Sequence, residues 1–86
     1  KALTDDEVDA LFRALADRTR PDIVARVIDA EQSVSALAER YAMSFAAVQK
    51  HVSVLERVSL VAKRRRGREQ IVTADLAAVR RARAVL

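Results

Sequence analysis

The residues with the most evident chemistry are the cations of Lys63-Arg64-Arg65-Arg66-Gly67-Arg68. Five of these six residues are positively charged, and the sixth is the only glycine of the chain. Such a run neutralises an anionic surface and performs no reaction by itself. The other titratable groups supply no reaction centre either. His51 is the only histidine and there is no cysteine, so neither a multi-histidine nor a thiolate metal site can be assembled. His51 stands at the flank of an apolar stripe, where a half-buried structural histidine and a phosphate contact are equally open. Four residues on from it is Leu55, not a second ligand. The carboxylates of Asp5, Asp6, Glu7 and Asp9 crowd one helix start, where capping accounts for them. No Gly-rich phosphate loop, nucleophile elbow or metal-ligand cluster is present. The chain reads as a binding module with no catalytic residue, metal or cofactor.

Charge distribution sharpens this. The net charge of +4 divides into −3 for residues 1–32 and +7 for residues 33–86. The asymmetry suggests an anionic partner for the second half, with nucleic acid first and a membrane surface second. With 86 residues, 51% of them apolar and 33% charged, the chain is one small helical domain. A core of this size is marginal alone, and dimerisation is a common remedy. The lack of cysteine fits a reducing compartment, so a cytoplasmic location is expected. No apolar run approaches the roughly 18 residues of a membrane span, and Lys1 to Glu7 does not resemble a signal peptide. The chain starts at Lys1 rather than Met, as a trimmed chain would.

The elements that must carry these residues follow from periodicity. Thr4-Asp5-Asp6-Glu7 reads as a capping box for a helix over about 5–16, with Val8, Leu11, Phe12 and Leu15 at helical spacing. Thr19 is placed to cap a second helix over about 20–29, with Pro21 in its first turn and Ile23, Val24, Val27 and Ile28 as its buried stripe. A polar connector, 30–34, leads to a third helix over about 36–42, capped by Ser35, with Leu37, Ala38 and Tyr41 inward. A tight turn and Ser44 open a fourth helix over about 45–57, whose inner stripe is Val48, Val52 and Leu55. The pattern then switches: Leu60-Val61-Ala62 and Ile71-Val72-Thr73 are short β-prone runs. The basic stretch with Gly67 connects them as a hairpin. A last helix runs over about 75–86. The expected fold is mainly α with one β-hairpin: a winged helix-turn-helix in a single domain spanning 1–86. Its helix-turn-helix occupies about 35–57 and its wing about 60–73.

Once the stripe of the fourth helix is buried, Ala46, Gln49, Lys50, Ser53 and Arg57 lie on its other side at 100° per residue. Small residues at the N-terminal end let a backbone sit deep in a major groove. Gln49 can make two hydrogen bonds to an adenine edge, and Lys50 can reach guanine or phosphate. Ser44 and the free amides of the helix start suit a phosphate. The same face on its own is equally an ordinary solvated surface; the adjacent basic hairpin favours DNA. No amphipathic helix joins the basic run to exposed large apolar residues, which argues against a membrane.

With these elements in place, the sequence resembles the ArsR/SmtB family of winged-helix repressors. The matching stretches are LFRALADRTRPDIVARVI (11–28), SVSALAERYAMSFAAVQKHVSVLERVSLV (33–61) and KRRRGREQIV (63–72). The resemblance implies a homodimeric repressor that binds an imperfect palindrome in double-stranded operator DNA and leaves it when an effector binds. By position it makes Ser44 to His51 the recognition segment, Phe45 included, and Lys63, Arg64, Arg65, Arg66 and Arg68 the wing contacts. The family's dimer interface falls on the first and last helices, so Val8, Leu11, Leu76, Val79 and Leu86 are candidates; some could equally face the protomer's own core. Three departures stand out. Where metal-sensing members carry Cys-Val-Cys, this chain has Ser33-Val34-Ser35, poor ligands for soft metals, and its last helix offers only Asp75. Ser59 replaces the usual helix-ending glycine, so an altered or locally strained C-cap is expected. Phe45 occupies a commonly polar position and can meet either a thymine methyl or the core. The competing reading is a winged-helix module for protein or RNA. The effector is not legible in the sequence.

Overall fold

A computed structural model describes residues 2–86. Thr4 opens α1 (Asp5–Ala14) with a full capping box: its hydroxyl accepts from the Glu7 amide at 3.1 Å, and the Glu7 carboxylate accepts from the Thr4 amide at 2.8 Å. The helix stops two residues before the predicted end. Arg20 donates to the carbonyls of Ala14 and Arg13, and so occupies acceptors that a further turn would need.

In α2 (Thr19–Asp29) Thr19 is the first helical residue rather than the cap. The Asp17 carboxylate accepts from its amide at 2.9 Å, a side-chain bond that the carboxylate makes in place of the expected hydroxyl. Ile28 is 44% exposed instead of buried. At 100° per residue it lies roughly 90° from the centre of the Ile23–Val24–Val27 stripe.

The connector after α2 contains a strand that the sequence reading missed, β1 (Gln32–Ser33). Ser33 pairs with Ile71 in that strand and then caps α3 (Val34–Tyr41), accepting from the Ala36 amide at 3.0 Å. Ser33, not Ser35, is the cap because β pairing already gives it the extended backbone a cap requires. Ser44 caps α4 (Phe45–Arg57), accepting from Ala47 at 3.1 Å. Tyr41 donates to Asp22, and Arg26 reaches Asp22 at 2.9 Å and the Tyr41 hydroxyl at 3.0 Å. This network ties α2 to α3.

Both α3 and α4 end in Schellman bonds. Met43 N–H bonds Ala38 C=O at 3.1 Å with Ala42 at φ 52°, and Leu60 N–H bonds Leu55 C=O at 3.1 Å with Ser59 at φ 66°. The expectation for Ser59 holds: a side-chain-bearing residue takes the left-handed conformation that glycine adopts at lower cost.

The basic run is not a loop between strands but a strand. β2 (Val61–Arg66) pairs with β3 (Glu69–Ala74) from Val61↔Ala74 to Arg66↔Glu69. Only Gly67 and Arg68 form the turn. Gly67, at φ 62°, takes the first central position, as type II′ hairpins prefer. The sheet has three strands in the order β1-β3-β2. Asp75 caps α5 (Leu76–Val85), accepting from Ala78 at 3.0 Å. Ile23, Leu37, Val48, Val52, Leu55 and Val72 are fully buried between the helices and the inner face of the sheet. The architecture is a winged helix-turn-helix.

Candidate nucleic-acid interface

Burial of Val48, Val52 and Leu55 fixes which side of α4 faces outward. Ser44, Phe45, Ala46 and Lys50 are exposed, and Gln49, His51 and Ser53 are half-buried. Phe45, at 47% exposure, lies on the surface and not in the core. A shallow groove follows α4 from Ala47 to Arg57, with Arg20 on one side and Lys63 of β2 on the other. Cations from three elements thus border the outer face of one helix. Gln49 enters this groove with its amide oxygen buried and unpaired. Presenting both amide atoms to a base edge requires a rotation of that side chain.

Arg20 escaped the sequence reading. It comes from α2, 31 positions before His51, and no local signal marks it. Its guanidinium caps the end of α1 and lies 3.4 Å from His51 Nδ1. The nearby Asp17 carboxyl sits below its usual range because the Thr19 amide donates to it, with Arg20 adding attraction.

The pleat sorts the cations of the wing. Alternation puts Lys63 and Arg65 on the side of Val61, toward α4, and Arg64 and Arg66 on the other. Lys63 Nζ is 3.7 Å from Glu56 of α4. Arg64 and Arg66 both donate to Glu31, at 2.6 and 2.9 Å. Arg64 first and Arg66 second hold the Glu31 carboxyl below its usual range. Arg65 and Arg68 have no ion-pair partner among the described residues.

The candidate dimer residues divide as well. Leu11 and Val79 are 4% and 9% exposed, already covered by the protomer's own core, and Val8 is half-buried. Leu76 and Leu86 are 50% and 53% exposed. Phe12, outside the sequence candidates, is 54% exposed on α1, which packs beside α5. No group of three or more His, Cys, Asp or Glu side chains converges on a metal-sized site among the described residues. No described helix is long and apolar enough to cross a membrane.

Compared with models of known families and with curated protein sequences, the chain has no match. Solved structures do match. An ArsR-like transcriptional regulator from Rhodococcus sp. RHA1 superposes at a TM-score of 0.80 with 34% identity, over 94% of this chain and 76% of the other. A possible transcriptional regulator for arsenical resistance gives 0.80 with 30% identity, over 86% and 77%. The homodimeric winged helix-turn-helix DNA-binding domain of a Mycobacterium bovis protein shares the fold, with a TM-score of 0.82 at 24% identity over 99% and 85%. By fold and by identity across most of its length, the chain belongs to the ArsR family of transcriptional regulators, and it is not an enzyme.

Proposed function

We propose that the chain is a homodimeric repressor that binds an imperfect palindrome in duplex DNA. The observation that carries this reading is the α4 groove. A helix with a small N-terminal face and polar residues beyond it runs between Arg20 and Lys63, beside a strand of cations. In the proposed complex α4 enters the major groove, Gln49 and Lys50 meet base edges, and Ser44, Ser53 and the wing meet phosphates. Phe45 meets a thymine methyl, which agrees with its exposure. His51 is held by Arg20 and adds a contact through its other nitrogen. The family likeness and the winged-helix Mycobacterium homodimer support a second copy of this chain as partner.

The same reading has no metal site of the usual ArsR kind. Ser33 and Ser35 stand where thiolates would be needed, and the Ser33 hydroxyl is engaged as a helix cap. Any effector would act elsewhere.

Selection from random duplexes tests the proposal. A palindromic motif is expected, and recovery of no motif would sink it in favour of a protein- or RNA-binding module. On the selected site, Gln49→Ala should cost about 1–3 kcal/mol and relax preference at one base pair per half-site. An equal loss on all duplexes would remove Gln49 from base reading.

A further inference from the structure

Five cations in one short hairpin repel each other, yet three strands pair regularly around them. The contacts of Glu31 explain how two of those charges are accommodated. Glu31 precedes β1, on the far edge of the sheet from β2. Its two carboxylate oxygens each take one guanidinium, Oε2 from Arg64 and Oε1 from Arg66. The bridge therefore crosses β3 on the face opposite the core.

That face contains an anomaly the bridge accounts for. Ile71 is only 2% exposed, but it alternates with Val72 and so points away from the main core, to whose cluster it does not belong. Its register neighbours are Ser33 and Arg64. Arginine stems cover apolar surface while their heads stay polar. Arg64, the register partner of Ile71, reaches Glu31 along that face, which places its stem to cover Ile71.

We propose that Glu31 is a positioning residue that braces the wing. It holds Arg64 and Arg66 on the back of the hairpin as structural groups, and with Lys63 beside Glu56 the phosphate grip falls to Arg65 and Arg68. A single exposed ion pair would hold such a hairpin weakly. Here one carboxylate takes two arginines over a buried isoleucine, and the three elements lock together. Part of this inference rests on the DNA reading, namely which cations touch phosphate; the brace itself does not.

Two measurements on the full chain separate these parts. The first needs no DNA: amide hydrogen exchange in β2 and β3 should quicken in Glu31→Gln and in Arg64→Ala/Arg66→Ala. The two changes combined should add little beyond either alone, as expected of one shared contact. Unchanged exchange would overturn the brace. The second is the salt dependence of duplex binding. Arg65→Ala/Arg68→Ala should lower the log–log slope by about two, and Arg64→Ala/Arg66→Ala should leave it unchanged while weakening all duplexes by a common factor. A slope drop of about two in the latter pair, or a steeper slope in Glu31→Gln, would show that the back-face arginines reach phosphate and would overturn the assignment. If the unaltered chain binds no duplex, the DNA reading fails and hydrogen exchange alone decides the brace.

Discussion

Arg20 Nη1 lies 3.4 Å from His51 Nδ1, which links the second helix to the outward face of the fourth. A guanidinium only donates hydrogen bonds, so Nδ1 is the acceptor in this contact. The same guanidinium donates to the carbonyls of Ala14 and Arg13. One side chain thus ties the end of α1 and the flank of α4 to α2, the helix that carries it.

The fork geometry makes Arg20 hard to replace. Lysine keeps the charge but cannot span a carbonyl and an imidazole at once. Arg20→Lys and Arg20→Ala should therefore destabilise the fold alike, by about 1–2 kcal/mol, because bonds of a charged donor are lost at a partly exposed site. His51→Gln should cost less, since the α1 carbonyls keep their donor. Urea midpoints at constant m-value measure this. Full rescue by lysine would show that only charge matters there.

Ser59 gives the opposite sign. It sits at φ 66° between α4 and β2 with its Schellman bonds intact, so glycine can replace it without loss of a contact. Ser59→Gly should stabilise the chain by about 0.5–1 kcal/mol through relief of left-handed strain. For a domain of this size that raises the melting temperature by roughly 2–8 °C. A lower melting temperature would mean that the entropy of the unfolded glycine outweighs the strain.

The success at Ser59 and the failure at Arg20 show what kind of information a sequence carries. Caps, turns and stripes are local, so Thr4, Ser44, Gly67 and the α4 core were legible from spacing. Ser33 was missed in favour of Ser35 because its extended backbone depends on pairing with Ile71, 38 positions away. The same long-range pairing makes 32–33 a strand that is too short to show alternation. The wing's cations were legible as one charge; their division between two faces needed the register and Glu31. Arg20 had no local signature, since its partners lie on two other elements.

Stability should fall in acid by an identifiable route. Asp22 is held below the usual carboxylate range, by the Tyr41 hydroxyl first and Arg26 second, and Glu31 by Arg64 and Arg66. A lowered folded-state pKa gives stability that is present above the ordinary carboxylate range and lost as pH falls through the lowered value. Tyr41 runs the other way: burial first, then Asp22, raises its pKa. Its contribution is present below the ordinary tyrosine range near 10 and is lost as pH rises through the raised value. Asp22→Asn should flatten the acid side of a stability–pH curve. Parallel curves for Asp22→Asn and the unaltered chain would remove this network as the cause.

The exposed apolar residues of α1 and α5 make the dimer testable. Phe12, Leu76 and Leu86 are each about half exposed or more, whereas Leu11 and Val79 are spent on the protomer's core. A charge at Leu11 or Val79 would unfold the chain and say nothing about assembly. Leu76→Glu/Leu86→Glu should instead leave the circular dichroism spectrum intact and shift sedimentation from dimer to monomer. Phe12→Glu should do the same if α1 shares the interface, because an unpaired charge tolerates burial poorly. A repressor reading palindromes needs both half-sites engaged together, so these monomers should bind the selected site far more weakly than the dimer does, while a half-site alone is bound equally by both. Variants that stay dimeric would move the interface off these helices, and monomers that bind the full site undiminished would remove the palindrome from the reading.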